Sequence, residues 1–545
     1  MSNYSIHLAT QSTPQSAPLF GRETEQAQNS AGGYVFTISP MQQLLRFLIL
    51  GAEGGTYYAT EKQLTLNNAQ NILGLLGTEG VAAVNLVVEI STSQPARAPK
   101  NDACVFVLAL AATKGSETVK NAAFDALNSV CRIPTDLFAF VEHCKNLGGG
   151  WGRRMKRAIS EWYTVKTPEE LARLVTKYQS RNGWSHRDVL RLSHAKAVDE
   201  NQNGVLHFAA RNELIAGSSR DYLEAVQMSL SGKLTKDETI GLIRTFDLPR
   251  EVIATGMLNE KDVWAALLEK MPIRAMIRNL PKMTRVGLLG PMSSANQIVL
   301  GKLNETALVR GRVHPVSVLI ALKTYEAGKS LRGEGIWTPV PQIVDGLEEA
   351  FYKAFGSLEA TNKRTMIALD VSGSMGPGEF RGPNRSMYGG DIGGVPGLSA
   401  RMGSAAMAMV VARTEPNYAV TAFSHTLIPV DFIRKNTSIA DVMKKTAAIP
   451  MGGTDCALPM LDALKRKIPV DVFQVFTDSE TWAGSTHPSV ALQRYRKEMG
   501  INAKLVVNGM TATNFTIADP KDPGMLDVAG FDSATPNIIA EWVKW

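Results

Sequence analysis

Met366-Ile-Ala-Leu-Asp-Val-Ser-Gly-Ser-Met375 is an apolar stretch that ends on an acid and continues with two serines at alternate positions. The apolar part is typical of a buried strand, and side chains alternate along an extended chain. A tight turn at Gly373 would let Asp370, Ser372 and Ser374 converge beyond the end of that strand. Because hard divalent cations prefer oxygen ligands, the stretch predicts a metal site. The simpler alternative is that Asp370 and Ser372 only cap a helix and close a turn.

Two later segments follow the same design. Met451-Gly-Gly-Thr-Asp-Cys456 opens an amphipathic stretch, and Val472-Phe-Gln-Val-Phe-Thr-Asp478 is another apolar run that ends in an acid. In an open parallel sheet, ligands gather outside the carboxyl ends of the strands, where all three loops would lie. The coincidence of three such loops favours the metal interpretation.

This arrangement resembles the metal-ion-dependent adhesion site of von Willebrand factor A domains. The resemblance implies that Ser372, Ser374 and Thr454 lie near a divalent metal, with Asp370 and Asp478 acting partly through water. Mg²⁺ suits such a site because it keeps several waters and needs few directly bound charged ligands.

The sequence after residue 360 alternates short apolar strands with helices. Strands are predicted at 365–370, 417–423, 471–477 and 502–508, and helices at 401–413, 437–446, 455–466 and 487–498. This order predicts a doubly wound α/β domain over residues 361–545. The Gly-rich stretch 376–397 is predicted to be an inserted surface loop.

The sequence before residue 360 is mostly helical in pattern. Residues 1–30 are rich in Ser, Thr, Gln and Pro, and we expect them to wrap a surface or to be loosely ordered. Helix starts are predicted at Thr167-Pro-Glu-Glu170 and Thr235-Lys-Asp-Glu238, among others. Many short helices joined by brief loops predict an all-α solenoid of HEAT-like hairpins over residues 1–360.

Composition bounds the class of protein. With 545 residues, 44% apolar and 20% charged, the chain is typical of a globular protein of at least two domains. Its four cysteines show no close paired spacing for zinc and are too few for a disulfide framework, so a reducing cytoplasm fits best. The first residues lack a basic segment followed by an apolar one, and the longest apolar run, 104–112, is too short to span a bilayer. We therefore expect neither secretion nor membrane insertion.

The net charge of +7 is concentrated in one segment. Residues 145–196 hold twelve basic and four acidic residues, an excess of eight, which favours an anionic partner. The candidate phosphate contacts there are Arg153, Arg154, Lys156, Arg157, Lys166, Arg173, Lys177 and Arg181. The last three would share one helix face at four-residue spacing.

Aromatic side chains are interleaved with these charges. Tyr163, Tyr178, Trp184 and His186 could stack on unpaired bases or hydrogen-bond to them. For Trp184, as for the other tryptophans of this segment, packing in the core is the stronger alternative.

A second basic series is formed by Lys270, Arg274, Arg278, Lys282 and Arg285, with no acid between its ends. Helix geometry would place Arg274 and Arg278 together, and Pro281 is expected to end the helix.

Four long strings together resemble the Ro autoantigen family over nearly the whole chain. They are Arg46-Phe-Leu-Ile-Leu-Gly-Ala-Glu-Gly-Gly-Thr-Tyr-Tyr58, Lys177-Tyr-Gln-Ser-Arg-Asn-Gly-Trp-Ser-His186, Met271-Pro-Ile-Arg-Ala-Met-Ile-Arg-Asn-Leu280 and Gly452-Gly-Thr-Asp-Cys456. Members of that family join a ring of HEAT-like repeats, the TROVE module, to a von Willebrand A domain. The insertion at 376–397 departs from the animal proteins, and its role stays open.

The resemblance implies an RNA-binding quality-control protein of a ribonucleoprotein. Single-stranded 3′ ends of misfolded noncoding RNA would enter the hole of the ring, to which we assign Arg274 and Arg278. A small Y RNA would bind the outer surface and contact Lys177, Arg181 and His186. A 3′ exoribonuclease is a candidate partner, and the protein itself is expected to be monomeric.

Catalysis is not expected. Haloacid-dehalogenase phosphatases also place an acid at a strand end, but they need a second acid where this chain has Ser372. The glycines of residues 51–55 lack the lysine of a phosphate-binding loop. The alternative function is a metal-dependent docking scaffold for another protein, with no direct role in RNA binding.

Overall fold

The computed structural model describes residues 12–51, 61–330, 334–356, 358–376 and 398–544, and the side chains of all of these except 61–67. Its chain forms two compact units, one from residues 73–96 and 100–354 and the other from residues 1–72, 97–99 and 355–545. We name them the helical unit and the sheet unit. The predicted boundary at residue 360 lies near the observed junction at 355. The prediction did not anticipate that residues 12–72 fold with the C-terminal part of the chain.

The helical unit consists of short helices that pack against near neighbours in sequence. Predicted starts are confirmed at Thr167, whose hydroxyl accepts a hydrogen bond from the Glu170 amide (3.2 Å), and at Thr235, which forms a capping box with Glu238. The helices, including one that begins in the sheet unit, are Glu61–Thr78, Gly80–Thr92, Asp102–Lys114, Glu117–Asp125, Leu127–Val130, Pro134–Asn146, Arg153–Thr164, Pro168–Lys177, His186–Ser193, Glu200–Arg211, Arg220–Leu230, Lys236–Phe246, Lys261–Lys270, Ile273–Arg285, Ser294–Lys302, Glu305–Arg310, Pro315–Glu326 and Pro341–Lys353. Short 3₁₀ turns lie at Arg250–Val252 and Met257–Asn259.

Contacts between distant parts of the sequence also form within the helical unit. Arg312, in the turn between the helices Glu305–Arg310 and Pro315–Glu326, donates to the backbone carbonyl of Ser91 (3.4 Å), and Arg132 donates to the same carbonyl (2.6 Å). The end of the helix Gly80–Thr92 therefore meets a turn more than two hundred residues later in the chain.

The strands belong mainly to the sheet unit. In chain order, the strands of the described residues are β1 (Gln26–Gln28), β2 (Tyr34–Thr37), β3 (Ser180–Arg181), β4 (Trp184–Ser185), β5 (Thr365–Asp370), β6 (Tyr418–Phe423), β7 (Leu427–Pro429), β8 (Val472–Thr477), β9 (Lys504–Gly509), β10 (Phe515–Thr516) and β11 (Met525–Ala529). The helices of the sheet unit are Pro40–Leu50, Ala400–Thr414, Ile439–Ala447, Leu458–Lys465, Pro488–Met499 and Thr535–Lys544, with 3₁₀ turns at Glu23–Glu25 and Gly373–Met375.

The main sheet of the described residues has the strand order β11-β9-β8-β5-β6-β7, and β7 runs antiparallel at one edge. Every residue of β5 and β8 is buried because helices cover both faces of a parallel sheet. Leu369 pairs with Phe476, so the loops after these two central strands leave the sheet side by side. The predicted doubly wound α/β fold is confirmed.

A second, small sheet uses the N-terminal segment. Strand β2 pairs with β1 on one side and with β10, nearly five hundred residues later, on the other. The helix that follows is held by Arg46, which is 2% exposed and forms a buried ion pair with Asp527 of β11. The N-terminal segment is therefore an integral part of the sheet unit.

None of the helices in the described part of the chain is long and apolar enough to cross a membrane. The predicted loop at 376–397 lies, from residue 377 onward, outside the described residues.

Candidate functional sites

Asp370 is the last residue of β5 and is fully buried. Its carboxylate accepts hydrogen bonds from the backbone amide of Ser372 (2.9 Å) and from the hydroxyl of Thr477 on the adjacent strand (2.6 Å). The chain then makes a 3₁₀ turn over Gly373–Met375, which brings the hydroxyls of Ser372 and Ser374 to 3.1 Å from each other. Thr477 directly precedes Asp478, the acid of the third predicted loop. The first and third predicted loops therefore meet.

Thr454 lies in the second loop and is 2% exposed. The carbonyl of Gly452 accepts a hydrogen bond from the Gly373 amide (3.4 Å), and the carbonyl of Thr454 accepts from the amides of Trp482 (3.0 Å) and Ala483 (2.9 Å). The second loop is thus connected through its backbone to the other two loops. The structure brings together the three loops that carry the five predicted metal-site residues, which are Asp370, Ser372, Ser374, Thr454 and Asp478.

Electrostatics at this site favour binding of a cation. Burial, followed by repulsion from Asp370, raises the pKa of Asp478 to about 7. Burial raises the pKa of Asp370 as well, against the opposing effect of its hydrogen bonds and of the Arg401 guanidinium. That guanidinium donates to the carbonyls of Val371 and Ile449 (2.8 Å to the latter). Two buried carboxylates close together are costly unless a positive charge compensates them.

The donor set fits magnesium. Within the described residues there is no group of three or more His, Cys, Asp and Glu side chains placed to hold a metal. The three loops carry instead two carboxylates and three hydroxyls, a set that suits a hard cation that keeps part of its water shell. Sequence reasoning missed Glu480, which is 2% exposed and whose pKa burial and Asp478 raise to about 8.

The basic cluster at the start of the helix Arg153–Thr164 is partly paired. Arg153 and Arg157 are exposed, and Lys156 is half-buried. Arg154 forms an ion pair with Asp125, and Arg157 forms one with Glu161 (2.7 Å). Exposed ion pairs contribute little to stability, so these guanidiniums can exchange partners at small cost.

Lys166 does not face outward as predicted. Its ammonium donates to the carbonyl of Trp162 (2.6 Å) and lies 3.7 Å from the centre of that indole ring. Burial lowers the pKa of Lys166 to about 8. The side chain covers the end of its helix, so we correct its assignment from a phosphate contact to a packing residue.

The predicted helix face shared by Arg173, Lys177 and Arg181 is wrong at its last member. The helix Pro168–Lys177 ends before Arg181, which lies exposed in strand β3 of a hairpin. The hairpin turns through Asn182 (φ 53°) and Gly183 (φ 77°), the left-handed pair that two-residue hairpin loops favour. Arg173 is exposed and stays within 3.8 Å of Asp247. Arg181 therefore belongs to a separate element.

His186 is 3% exposed, which places it in the core of the helical unit and not on its surface. Its Nε2 donates to the carbonyl of Tyr178 (3.0 Å), so its Nδ1 accepts from the hydroxyl of Tyr163 (2.9 Å). Burial lowers the pKa of His186 to about 4. A neutral imidazole with both nitrogens engaged cannot also reach an external phosphate, so its predicted RNA contact is corrected to a packing role.

A groove adjoins this surface. It has a volume of about 1240 Å³ and lies between the helices His186–Ser193, Glu200–Arg211 and Arg220–Leu230. Exposed Arg187, Arg191 and Arg211 line it, and none of them is among the cations predicted to contact RNA.

Arg274 and Arg278 lie exposed on the same helix, Ile273–Arg285, as predicted. The expectation that Pro281 ends this helix is wrong, because the helix continues to Arg285. Arg274 donates to the backbone carbonyl of Arg312.

These two arginines belong to a larger cluster. Although part of the Arg274 side chain is exposed, desolvation by the surrounding protein and the charges of Arg278, Arg132 and Arg312 lower its pKa to about 10. We name Arg132, Arg274, Arg278 and Arg312 the arginine cluster. The acid that faces it, Asp136, has a pKa that burial raises to about 6. No local sequence signal could have grouped residues so far apart in the chain.

Comparisons with known proteins agree with this architecture. The family model described as TROVE domain matches residues 27–229 and 248–324, and the one described as Ro60 vWA domain matches residues 364–543.

Similar full-length proteins carry one name. The chain is 39% identical over 529 residues to the protein of Deinococcus radiodurans named "RNA-binding protein RO60", with 96% of each chain covered. It is 35% identical over 595 residues to the Caenorhabditis elegans protein of the same name, covering 95% of this chain and 90% of that one. A crystal structure of the D. radiodurans Ro (RSR) protein superposes with a TM-score of 0.69 at 38% identity, over 93% of this chain and 99% of that one.

Proposed function

The chain belongs to the Ro family, and from this premise we propose that it binds RNA through two basic surfaces of its helical unit. Its relatives in D. radiodurans and C. elegans are named as RNA-binding proteins. The observation that carries the proposal is the arginine cluster, in which the charges of Arg132, Arg278 and Arg312 act against that of Arg274 and the carboxyl of Asp136 opposes them. Such a concentration of positive charge suits a polyanion.

The arginine cluster takes the single-stranded 3′ end of a misfolded noncoding RNA. Guanidiniums bind phosphate oxygens with paired donors, and they need no particular base sequence. Arg132 and Arg312 are fixed by their hydrogen bonds to the Ser91 carbonyl. Arg274 is fixed in turn by the Arg312 carbonyl. Phosphate binding therefore costs little conformational entropy, because these side chains are already ordered.

A structured small RNA of the Y RNA class binds the outer basic surface. Its contacts are the exposed Arg153 and Arg181 and the half-buried Lys177, with the arginines of the adjoining groove available to extend the contact. Phosphate contacts of this kind position an RNA by its backbone and shape. Two surfaces on one unit would let the protein hold a small RNA and a defective RNA through separate contacts.

The sheet unit binds Mg²⁺ and serves as a docking site for another protein. The five converging oxygen donors would hold the ion, and a partner's carboxylate would complete its ligands. A 3′ exoribonuclease that acts on the captured RNA is the class of partner we propose. The protein itself is proposed to be a non-enzymatic cytoplasmic monomer, in keeping with its four buried, unpaired cysteines.

The test of the RNA proposal measures binding of an RNA with a single-stranded 3′ tail by fluorescence anisotropy. In the full-length variant R274A/R278A we expect affinity to fall by about tenfold for each lost guanidinium. The slope of log affinity against log salt should flatten by about 1.4 because two single-strand phosphate contacts are lost. The matched control is R466A/K467A, which removes two exposed cations of the sheet unit. Equal affinity and slope in both double variants would refute the assignment.

The alternative of a docking scaffold without RNA binding makes a different prediction. Wild-type protein would then bind tailed and untailed RNA equally weakly. The slope of log affinity against log salt would be the same in wild type and in R274A/R278A. Replacing Asp370 and Ser372 by Ala separates the two functions, because Mg²⁺ binding should be lost while RNA affinity is kept.

A further inference from the structure

We propose that Gln15 and Asn29, in the N-terminal segment, are positioning residues for the metal site of the sheet unit. They fix the two loops that carry Thr454 and Asp478, although they lie more than four hundred residues away in sequence. This inference rests on the proposed metal site, which it deepens by naming the residues that set its affinity.

Gln15 links the second metal loop to the third. Its side chain is 0% exposed, and its Nε2 donates to the Asp455 carboxylate (2.8 Å) and to the Thr486 carbonyl (2.8 Å). Its Oε1 accepts a hydrogen bond from the Thr481 hydroxyl. Asp455 directly follows Thr454, and Thr481 follows Asp478 by three residues. One buried amide therefore contacts both loops, and it reinforces the direct bonds that the Thr454 carbonyl accepts from Trp482 and Ala483.

Asn29 holds the third loop from its other side. Its Nδ2 donates to the carbonyls of Thr481 (2.9 Å) and Ser479 (3.3 Å). Its Oδ1 accepts from the amides of Gly33 (2.8 Å) and Ala31 (3.1 Å), which rigidifies the turn that presents it. Because Asn29 is 4% exposed, water cannot readily replace these bonds.

The backbone that Asn29 holds is strained. Ser479, directly after the metal-site acid Asp478, has a φ of 64°, in the left-handed region that non-glycine residues rarely adopt. Its amide donates to the Thr477 hydroxyl (3.0 Å), which in turn donates to Asp370 (2.6 Å). Such a conformation persists only where its surroundings enforce it, so the contact from Asn29 bears directly on the direction of Asp478.

The N-terminal segment approaches these loops so closely that two glycines are required. A Cβ at Gly33 would lie 1.8 Å from the Thr481 carbonyl oxygen. A Cβ at Gly484 would lie 2.4 Å from both the Asp455 carboxylate and the Gln15 amide. The backbone of the N-terminal segment therefore packs directly against the two loops, with no room for a side chain between them.

The consequence is that residues outside the A-domain sequence control the affinity of its metal site. Residues that orient metal ligands through hydrogen bonds change metal affinity by about 10–100-fold when they are replaced. Loss of either amide donor should therefore weaken Mg²⁺ binding by about that factor while every proposed metal ligand is still present.

The test uses isosteric variants of the full-length protein. Gln15→Glu keeps the size of the side chain but places a carboxylate oxygen against Asp455. Asn29→Asp keeps the acceptor of the turn and loses the donor to the two carbonyls. Binding of Mn²⁺ is measured by electron paramagnetic resonance, and Mg²⁺ affinity is measured by competition. The matched control is Gln28→Glu, an exposed side chain that donates to the Gly32 carbonyl (3.1 Å) in the same segment.

We expect Gln15→Glu and Asn29→Asp each to weaken Mn²⁺ binding by about 10–100-fold, and Gln28→Glu to leave it unchanged. Val543→Ala, in the apolar cluster with Val472 and Val506, reports the effect of lowered stability alone and should keep wild-type affinity. Wild-type affinity in both isosteric variants, or an equal loss in Val543→Ala, would overturn the positioning role. Folded wild-type protein that binds no Mn²⁺ would instead overturn the metal site itself.

Discussion

His186 offers a prediction that separates a packing role from an RNA contact. In the unfolded chain its imidazole takes up a proton near its ordinary pKa of 6.5, whereas in the folded protein burial lowers that pKa to about 4. Between pH 6.5 and pH 4 the unfolded state therefore binds more protons at this imidazole than the folded state does. The stability that His186 contributes is therefore complete above pH 6.5 and is lost as pH falls toward 4.

The magnitude follows from the two pKa values. Their difference corresponds to a total loss of about 3 kcal/mol in the unfolding free energy once the pH is below both values. About 2 kcal/mol of this unfolding free energy is lost between pH 7 and pH 5. Tyr163, Phe138 and the Tyr178 carbonyl surround the ring, so no neighbouring charge among these groups offsets the loss. Asp136, whose pKa burial raises to about 6, acts in the opposite sense over the same range.

The assay is hydrogen–deuterium exchange read on peptides that span residues 153–193, in wild-type protein and in His186→Gln. The opening free energy of wild type should fall by about 2 kcal/mol more than that of the variant between pH 7 and pH 5. The contribution of Asp136 is common to both proteins and cancels in this difference. At pH 8 the affinity of the folded variant for a structured small RNA should equal that of wild type.

One result would refute this reasoning. If His186→Gln kept the wild-type pH dependence and lost RNA affinity at pH 8 without a loss of protection, the imidazole would be a direct RNA contact.

Three further predictions follow from single contacts. Lys177→Ala with Arg181→Ala should weaken binding of an untailed structured RNA and reduce its salt slope by about 2, with little effect on a single-stranded tail, as measured by anisotropy. Lys166→Ala should leave both affinities unchanged because its ammonium faces the Trp162 carbonyl; a loss equal to that of Lys177→Ala would contradict this orientation. Arg46→Ala should lower the unfolding free energy of the sheet unit by about 3–5 kcal/mol in urea titrations, because it leaves the Asp527 carboxylate buried without its partner. A change below about 1 kcal/mol would show that the structure around Asp527 rearranges to compensate for the lost ion pair.

Sequence patterns predicted the sheet unit well where local periodicity determines structure. The strand that ends at Asp370 was predicted with its observed bounds, and the helix Ala400–Thr414 was predicted within one residue at each end. Strands buried on both faces have continuous apolar runs, which are easy to recognise. The three loops of the proposed metal site follow from the same signal because each comes after a strand or opens a helix.

The errors have physical causes that local patterns do not contain. Pro281 was expected to end its helix because proline removes one hydrogen bond, but packing of Leu280 and Met283 in the core outweighs that cost. His186 has the residue type of an RNA contact, and only burial shows that it packs inside. The grouping of Arg132 with Arg312 depends on tertiary structure alone.

The N-terminal segment is synthesised before the residues that it packs against, so it can reach its folded position only after they have been made. Gln15 meets Asp455 across 440 residues of chain, and a ribosome that adds about 5–20 residues per second needs roughly 20 to 90 s to make them. Throughout that interval, residues 12–38 lack the loops and strand β10 that will bury them. The segment must therefore remain without these partners during synthesis. Its many Ser, Thr, Gln and Pro residues are compatible with a long exposure to water. Gln15 and Asn29 can therefore contact the loops of the proposed metal site only after those loops have been made.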